Sequence, residues 1–105
     1  MTDKLYLVTR RDLPPGSRVS QLCHAMREYV ERCPASERAW YETSNTLVCL
    51  EAEDEGALRE LIDKALARDV PVASFEEPDL NGALTAIALG PSAKPLVRRL
   101  PLAMT

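Results

Sequence analysis

The sequence predicts an α/β fold, a three-layer α/β/α sandwich with a four-stranded mixed β-sheet and its elements in the order β-α-β-α-β-β-α. Four short runs, Leu5–Thr9, Thr46–Leu50, Val72–Phe75 and Leu84–Leu89, are apolar almost throughout instead of alternating, the pattern of strands covered on both faces. Amphipathic helical segments separate the first three runs. The short Glu76–Ala83 connection between the last two permits antiparallel pairing.

The first strand closes in Arg10, Arg11 and Asp12, so its C-terminal end carries charge. Pro14-Pro15-Gly16 stops the extended chain, and Gly16 or Ser17 is expected to cap the helix that follows. On that helix Val19, Leu22, Cys23, Met26, Tyr29, Val30 and Cys33 recur at steps of three and four and form the expected core stripe. The helix should fail near Cys33-Pro34, because proline disfavours helical geometry in the residue before it. Ser36 to Tyr41 is compatible with a short further helical segment, ended by Thr43-Ser44-Asn45.

After the second strand, Glu53-Asp54-Glu55 places acid where a helix dipole favours it, and Leu58, Leu61, Ile62, Ala65 and Leu66 form the buried stripe of the helix. Its outer charges, Glu60 with Lys64 among them, read as a solvated face. The helix ends at Asp69-Val70-Pro71. Beyond the fourth strand Gly90-Pro91-Ser92 breaks the chain, and a final short helix capped by Ser92 is expected to pack Leu96, Val97 and Leu100 onto the sheet.

Composition narrows the function classes. With 46% apolar residues, 28% charged residues and a net charge of -3, the chain reads as one soluble globular domain over residues 1–105, without repeat or linker. Net negative charge excludes broad, sequence-blind gripping of a duplex and leaves a local cluster, Arg10, Arg11 and Arg18, to hold a few phosphates. No apolar run approaches the ~20 residues of a membrane helix, and Met1-Thr2-Asp3-Lys4 lacks a signal-peptide layout, so the expected location is the cytoplasm, away from membranes. Cys23, Cys33 and Cys49 make an odd set without C-x-x-C spacing. They are expected as reduced, buried thiols rather than a disulfide framework or a metal site.

Two stretches carry candidate chemistry. Ser17, Gln21, His24 and Glu28 follow at steps of four, three and four, which lines them up opposite the apolar stripe of the first helix. His24 is the only histidine. Such a row is either the solvated side of a surface helix or a hydrogen-bonding wall for a polar substrate. The second stretch is Glu76-Glu77-Pro78-Asp79-Leu80-Asn81-Gly82, which bundles three carboxylates with turn formers.

These residues together resemble the second, archaeal and eukaryotic-type, peptidyl-tRNA hydrolase family and its shorter domain-only relatives, almost end to end. Arg10-Arg11-Asp12-Leu13 matches the Arg-x-Asp-Leu close of the family's first strand. Ser20-Gln21-Leu22-Cys23-His24-Ala25 fits its Ala-Gln-x-x-His-Ala helix, with serine for the first alanine. Thr85-Ala86-Ile87-Ala88-Leu89-Gly90-Pro91 looks like its threonine-containing fourth strand and Gly-Pro exit. Two departures stand out. Ser17 occupies the place of the family's lysine, with Arg18 one position later and roughly 100° around the helix. Glu76-Glu77-Pro78-Asp79 replaces the family's Asp-Ala-Gly-Arg-Thr, much as a Glu-x-Pro-acid sequence does in the shorter relatives.

The resemblance implies hydrolysis of the ester joining a peptide to the 3′ end of tRNA, without a cofactor. It assigns His24 as general base, with Asp79 or Glu77 to orient it, a role worth about 10²–10⁴ in rate. Gln21 and Thr85 would hydrogen-bond substrate or water. Arg10, Arg18 and Arg11 would hold tRNA phosphates. The rival expectation is a non-catalytic module that keeps the fold and binds RNA or a protein, favoured by the lost lysine. A thiol enzyme built on Cys23 with His24 is disfavoured, since adjacent helix residues project about 100° apart and Cys23 falls on the expected core stripe. Dimers among the relatives imply a homodimer, for which Trp40-Tyr41 would suit an interface, although the same pair suits the core equally.

Overall fold

Side chains alternate across β1 (Lys4–Arg10), and this alternation builds two cores: Leu5 and Leu7 enter one cluster, Tyr6 and Val8 the other. The computed structural model describes residues 3–105. After β1 come α1 (Pro15–Arg32), α2 (Pro34–Thr43), β2 (Thr46–Ala52), α3 (Glu55–Ala67), β3 (Val72–Glu77), β4 (Ala83–Leu89) and α4 (Lys94–Val97). The strands form one sheet in the order β2-β1-β4-β3. β1 runs parallel to β2, and β4 is antiparallel to both β1 and β3. Leu22, Ala25 and Tyr29 of α1 and Trp40 of α2 cover one face of the sheet, while Leu58, Leu61 and Ala65 of α3 and Val97 of α4 cover the other. The expected α/β sandwich with a four-stranded mixed sheet is therefore the fold, with β1 and β4 central and buried on both sides.

Several elements differ in detail from expectation. α1 begins earlier, with Pro14 as its cap position and Pro15 in its first turn, so neither Gly16 nor Ser17 caps it. Pro15 lacks the N–H that a cap would satisfy and its ring pre-sets helical φ. α2 spans 10 residues, longer than the Ser36–Tyr41 pattern suggested, because Pro34 starts a helix as readily as it ends one. Ser92 lies in a 3₁₀ turn (Pro91–Ala93) and makes no capping bond to α4. Asp54, by contrast, caps α3 by accepting the Ala57 N–H at 2.9 Å.

The buried face of α1 is rotated by roughly a quarter turn from the expected stripe. Gln21, Leu22, Ala25 and Tyr29 are buried, whereas Val19 is 54% exposed and Cys23 and Val30 are also exposed. Cys23 is thus a surface thiol and not a core one; Cys33 and Cys49 are half-buried, and all three are free. The physical reason is that Gln21 finds partners inside the sheet, as described below, which draws its side of the helix inward. Trp40 goes to the core and donates its indole N–H to the Thr46 carbonyl at 2.7 Å, while Tyr41 stays at the surface beneath the Arg38 guanidinium.

The chain's last residues form a strap with no counterpart in the sequence pattern. Leu102 makes an antiparallel bridge to Leu50, the Ala103 N–H donates to the Cys49 carbonyl (2.9 Å), and the Glu51 N–H donates to the Pro101 carbonyl (3.0 Å). Half of the β2 edge is thereby paired, which reduces an otherwise open template for strand addition.

Candidate active site

Polar groups from α1, β3 and β4 meet at the C-terminal end of β3. Thr85, fully buried at a central position of β4, donates its hydroxyl to Gln21 Oε1 at 2.6 Å, with the Phe75 carbonyl 3.4 Å away. That bond orients the amide so that Gln21 Nε2 donates to Glu77 Oε1 at 2.9 Å. Behind them the buried Thr9 hydroxyl donates to the Thr85 carbonyl at 2.9 Å and ties the network to β1. A buried amide left unbonded would be costly, and here donor and acceptor are both satisfied.

Glu77 is also the cap of the 3₁₀ turn Pro78–Leu80, accepting the Asp79 N–H at 3.4 Å. The hairpin closes through Asn81 and Gly82, both at positive φ, the region that favours such residues. The Gln21 amide N–H lowers the Glu77 carboxyl below its ordinary value, against some desolvation, and the Asp79 N–H and the nearby charge of His24 act in the same direction. The carboxylate is accordingly charged throughout the neutral range.

His24 stands one turn beyond Gln21 on α1, exposed at the mouth of this network. Its ring stacks on Phe75, with centroids 4.3 Å apart and planes 10° from parallel. Nothing in the apolar run Val72–Phe75 marked Phe75 for this contact, which exists only because α1 packs over β3. Asp79 is exposed on the turn and contributes a backbone N–H to Glu77. Of the sequence-derived residues, the structure brings Gln21, Glu77 and Thr85 into direct contact and sets His24 beside them.

The three arginines expected at phosphates are placed differently. Arg18 donates Nη1 to Glu51 Oε2 at 2.7 Å and Nε to the Leu13 carbonyl at 2.6 Å, and its side chain is 18% exposed. Its reach is spent inside the molecule, on a buried carboxylate that also accepts the Met104 N–H at 2.8 Å. Arg10 forms a two-pronged bond with Asp12, 3.0 Å on each arm, and a third to the Leu84 carbonyl at 3.1 Å. This holds a guanidinium next to the Thr85 strand. Arg11 is exposed, with a looser 3.5 Å contact to Glu53. Among the described residues no group of three or more His, Cys, Asp or Glu side chains is arranged to hold a metal ion, and no helix is long and apolar enough to cross a membrane.

The protein is thus an α/β three-layer sandwich in which a polar line starting at a central strand ends beside an exposed histidine. The family model Peptidyl-tRNA hydrolase PTH2 matches residues 3–101, nearly the whole chain, and the chain belongs to that family. No curated protein sequence matches it. A solved structure of a protein of unknown function, Atu0240 from Agrobacterium tumefaciens strain C58, is similar in fold, with a TM-score of 0.71 at 14% identity over 97% of this chain and 98% of that one.

Proposed function

We propose that the chain hydrolyses the ester bond of peptidyl-tRNA, releasing peptide and free tRNA. The observation that carries this reading is the Thr85–Gln21–Glu77 line ending beside His24, together with membership of the hydrolase family. His24 takes the proton from a water as that water attacks the ester carbonyl, the charged Glu77 carboxylate stabilises the imidazolium that forms, and the imidazolium returns the proton to the tRNA 3′ oxygen as the ester C–O bond breaks. Gln21 and Thr85 hold Glu77 in place, so each is a positioning residue. Asp79 fixes the turn that carries Glu77. The tRNA phosphates fall to Arg11, which is exposed; Arg10, committed to Asp12 and the Leu84 carbonyl, and Arg18, committed to Glu51, serve the fold.

The rival reading, a module that binds tRNA without cleaving it, is favoured by Ser17 standing where the family has lysine and by the inward orientation of Arg18. One assay separates the two. A defined peptidyl-tRNA is incubated with the pure protein and with His24→Ala and Glu77→Gln. Release of peptide by the wild type, with a loss of about 10²-fold or more in His24→Ala, supports hydrolysis. Binding of the tRNA without release sinks it, and full activity in both variants removes these residues from the mechanism.

A further inference from the structure

Among the described residues the sheet ends at β3, whose outer edge faces no other strand. Pro71 accepts the Gly90 N–H at 2.9 Å, which makes these two a bonded pair. The two-residue period of an antiparallel ladder then turns the backbone groups of Ala73 and Phe75 toward β4 and those of Val72 and Ser74 outward. The Cys33 thiol lies 3.8 Å from the Val72 carbonyl, in agreement with that direction. Beside this edge runs a groove of about 500 Å³, walled by Glu28 and Arg32 of α1 on one side and by Ile62 and Leu66 of α3 on the other. Leu66 is 63% exposed there, an unusual position for a large apolar side chain.

The groove leads into the candidate active site. Phe75 belongs to both, and His24, Glu28 and Arg32 succeed one another at four-residue steps on one face of α1. α1 runs antiparallel to β3, since His24 sits over Phe75 and Cys33 over Val72. Between His24 and Cys33 the helix rises roughly 13 Å. That is the length of about four extended residues.

We propose that this groove binds the peptidyl part of the substrate as a strand added to β3. The inference rests on the hydrolase reading and extends it to how the peptide is recognised. The ester carbonyl is the peptide's C-terminal end and must reach His24, at the C-terminal end of β3. The bound peptide therefore runs parallel to β3, with its N-terminal residues toward Val72. Ser74 offers one N–H and one carbonyl to it, and alternate side chains face the apolar wall of α3 and the charged wall of α1. Main-chain pairing of this kind is indifferent to sequence, which suits a substrate whose peptide varies. The register of β3 on β4 shifts between Phe75 and Glu76 and pairing then continues to Glu77, so the local irregularity of the sheet falls beside the position where the ester is to be cleaved.

The test compares tRNA carrying an N-acetyl-aminoacyl group with tRNA carrying an N-acetyl-tetrapeptide, the latter also prepared with single amides N-methylated. Expected are a higher kcat/KM for the tetrapeptide and a loss of about three- to tenfold on methylating amides of one parity only. Ser74→Pro, tolerated on an edge strand whose N–H faces outward, should lower turnover of the tetrapeptide substrate toward that of the shorter one. Equal effects at both parities, or no gain with length, overturn the strand-addition proposal while leaving hydrolysis intact. Absence of turnover with every substrate overturns the hydrolase reading. The groove is judged independently of turnover by titrating ¹⁵N-labelled protein with N-acetyl-tetraalanine amide. Amide shifts centred on Val72 and Ser74 support the proposal, and their absence overturns it.

Discussion

The His24 imidazole lies face to face on the Phe75 ring, 4.3 Å between centroids and 10° between planes. Phe75 thereby limits the positions that an otherwise exposed side chain can take, at a value of about 0.5–1.5 kcal/mol for an aromatic pair. Phe75→Leu should lower kcat about three- to tenfold with KM little changed, and Phe75→Tyr should restore it. The His24 ring protons, shifted upfield by the phenyl ring, should move back in Phe75→Leu in one-dimensional NMR spectra. Unchanged proton shifts would contradict the stack itself.

Thr85 is the buried anchor of the polar line. Thr85→Val keeps the shape but leaves Gln21 Oε1 without its donor, in a residue that is itself buried. A cost of about 1–3 kcal/mol in urea unfolding is expected. Gln21→Leu in the Thr85→Val background should recover part of it, since both partners are then apolar.

Glu51 couples pH to the C-terminal strap. Desolvation raises its carboxyl pKa, but the Met104 N–H and the hydrogen bond and charge of Arg18 outweigh that and leave it below the ordinary 4.5. A carboxylate lowered on folding stabilises the protein above its unfolded pKa, and that contribution disappears as the pH falls through the folded value. Acid should therefore loosen residues 101–105 below about pH 4.5. In Glu51→Gln the loosening should already be present at neutral pH, with a cost of about 3 kcal/mol for stranding a mostly buried Arg18. Hydrogen exchange at the Met104 and Ala103 amides reads both effects.

The three thiols should react at different rates. Cys23 is exposed, whereas Cys33 and Cys49 are half-buried and burial raises the pKa of both. Iodoacetamide followed by mass mapping should label Cys23 first. Cys23→Ala should leave ester hydrolysis unchanged, because the side chain projects away from the Gln21 side of α1. A large loss of activity in Cys23→Ala would bring back a thiol mechanism.

Gly90 sits where three elements converge. A Cβ there would lie 2.8 Å from Tyr29 Oη and 3.4 Å from both Pro71 Cδ and Ser36 Oγ. The Tyr29–Ser36 hydroxyl pair is 2.6 Å apart and has little room to yield. Gly90→Ala should cost about 1–3 kcal/mol by overpacking, measured by thermal or urea unfolding.

The family resemblance and the α/β class were legible because they depend on local signals. Apolar runs bounded by turn residues mark strands, and Ser20–Ala25 with Arg10–Leu13 keep their spacing in the chain whatever they pack against. The polar row Gln21-His24 and the acidic turn were visible in the same way. Which carboxylate faces the helix was not: Glu77 meets Gln21 across 56 residues, through a hairpin geometry that no local period encodes.

Tertiary contact decided the rest. Periodicity placed Val19 and Cys23 inside and Gln21 outside, because apolar content alone sets a hydrophobic stripe. A glutamine is buried when a threonine from β4 and a glutamate from β3 satisfy its amide, and those partners arrive only when the sheet forms. Arg18 looked free for a phosphate for the same reason, since its partner Glu51 lies 33 residues away on β2. A buried charge goes to the carboxylate that the fold brings within reach, and the sequence around Arg18 contains no sign of it.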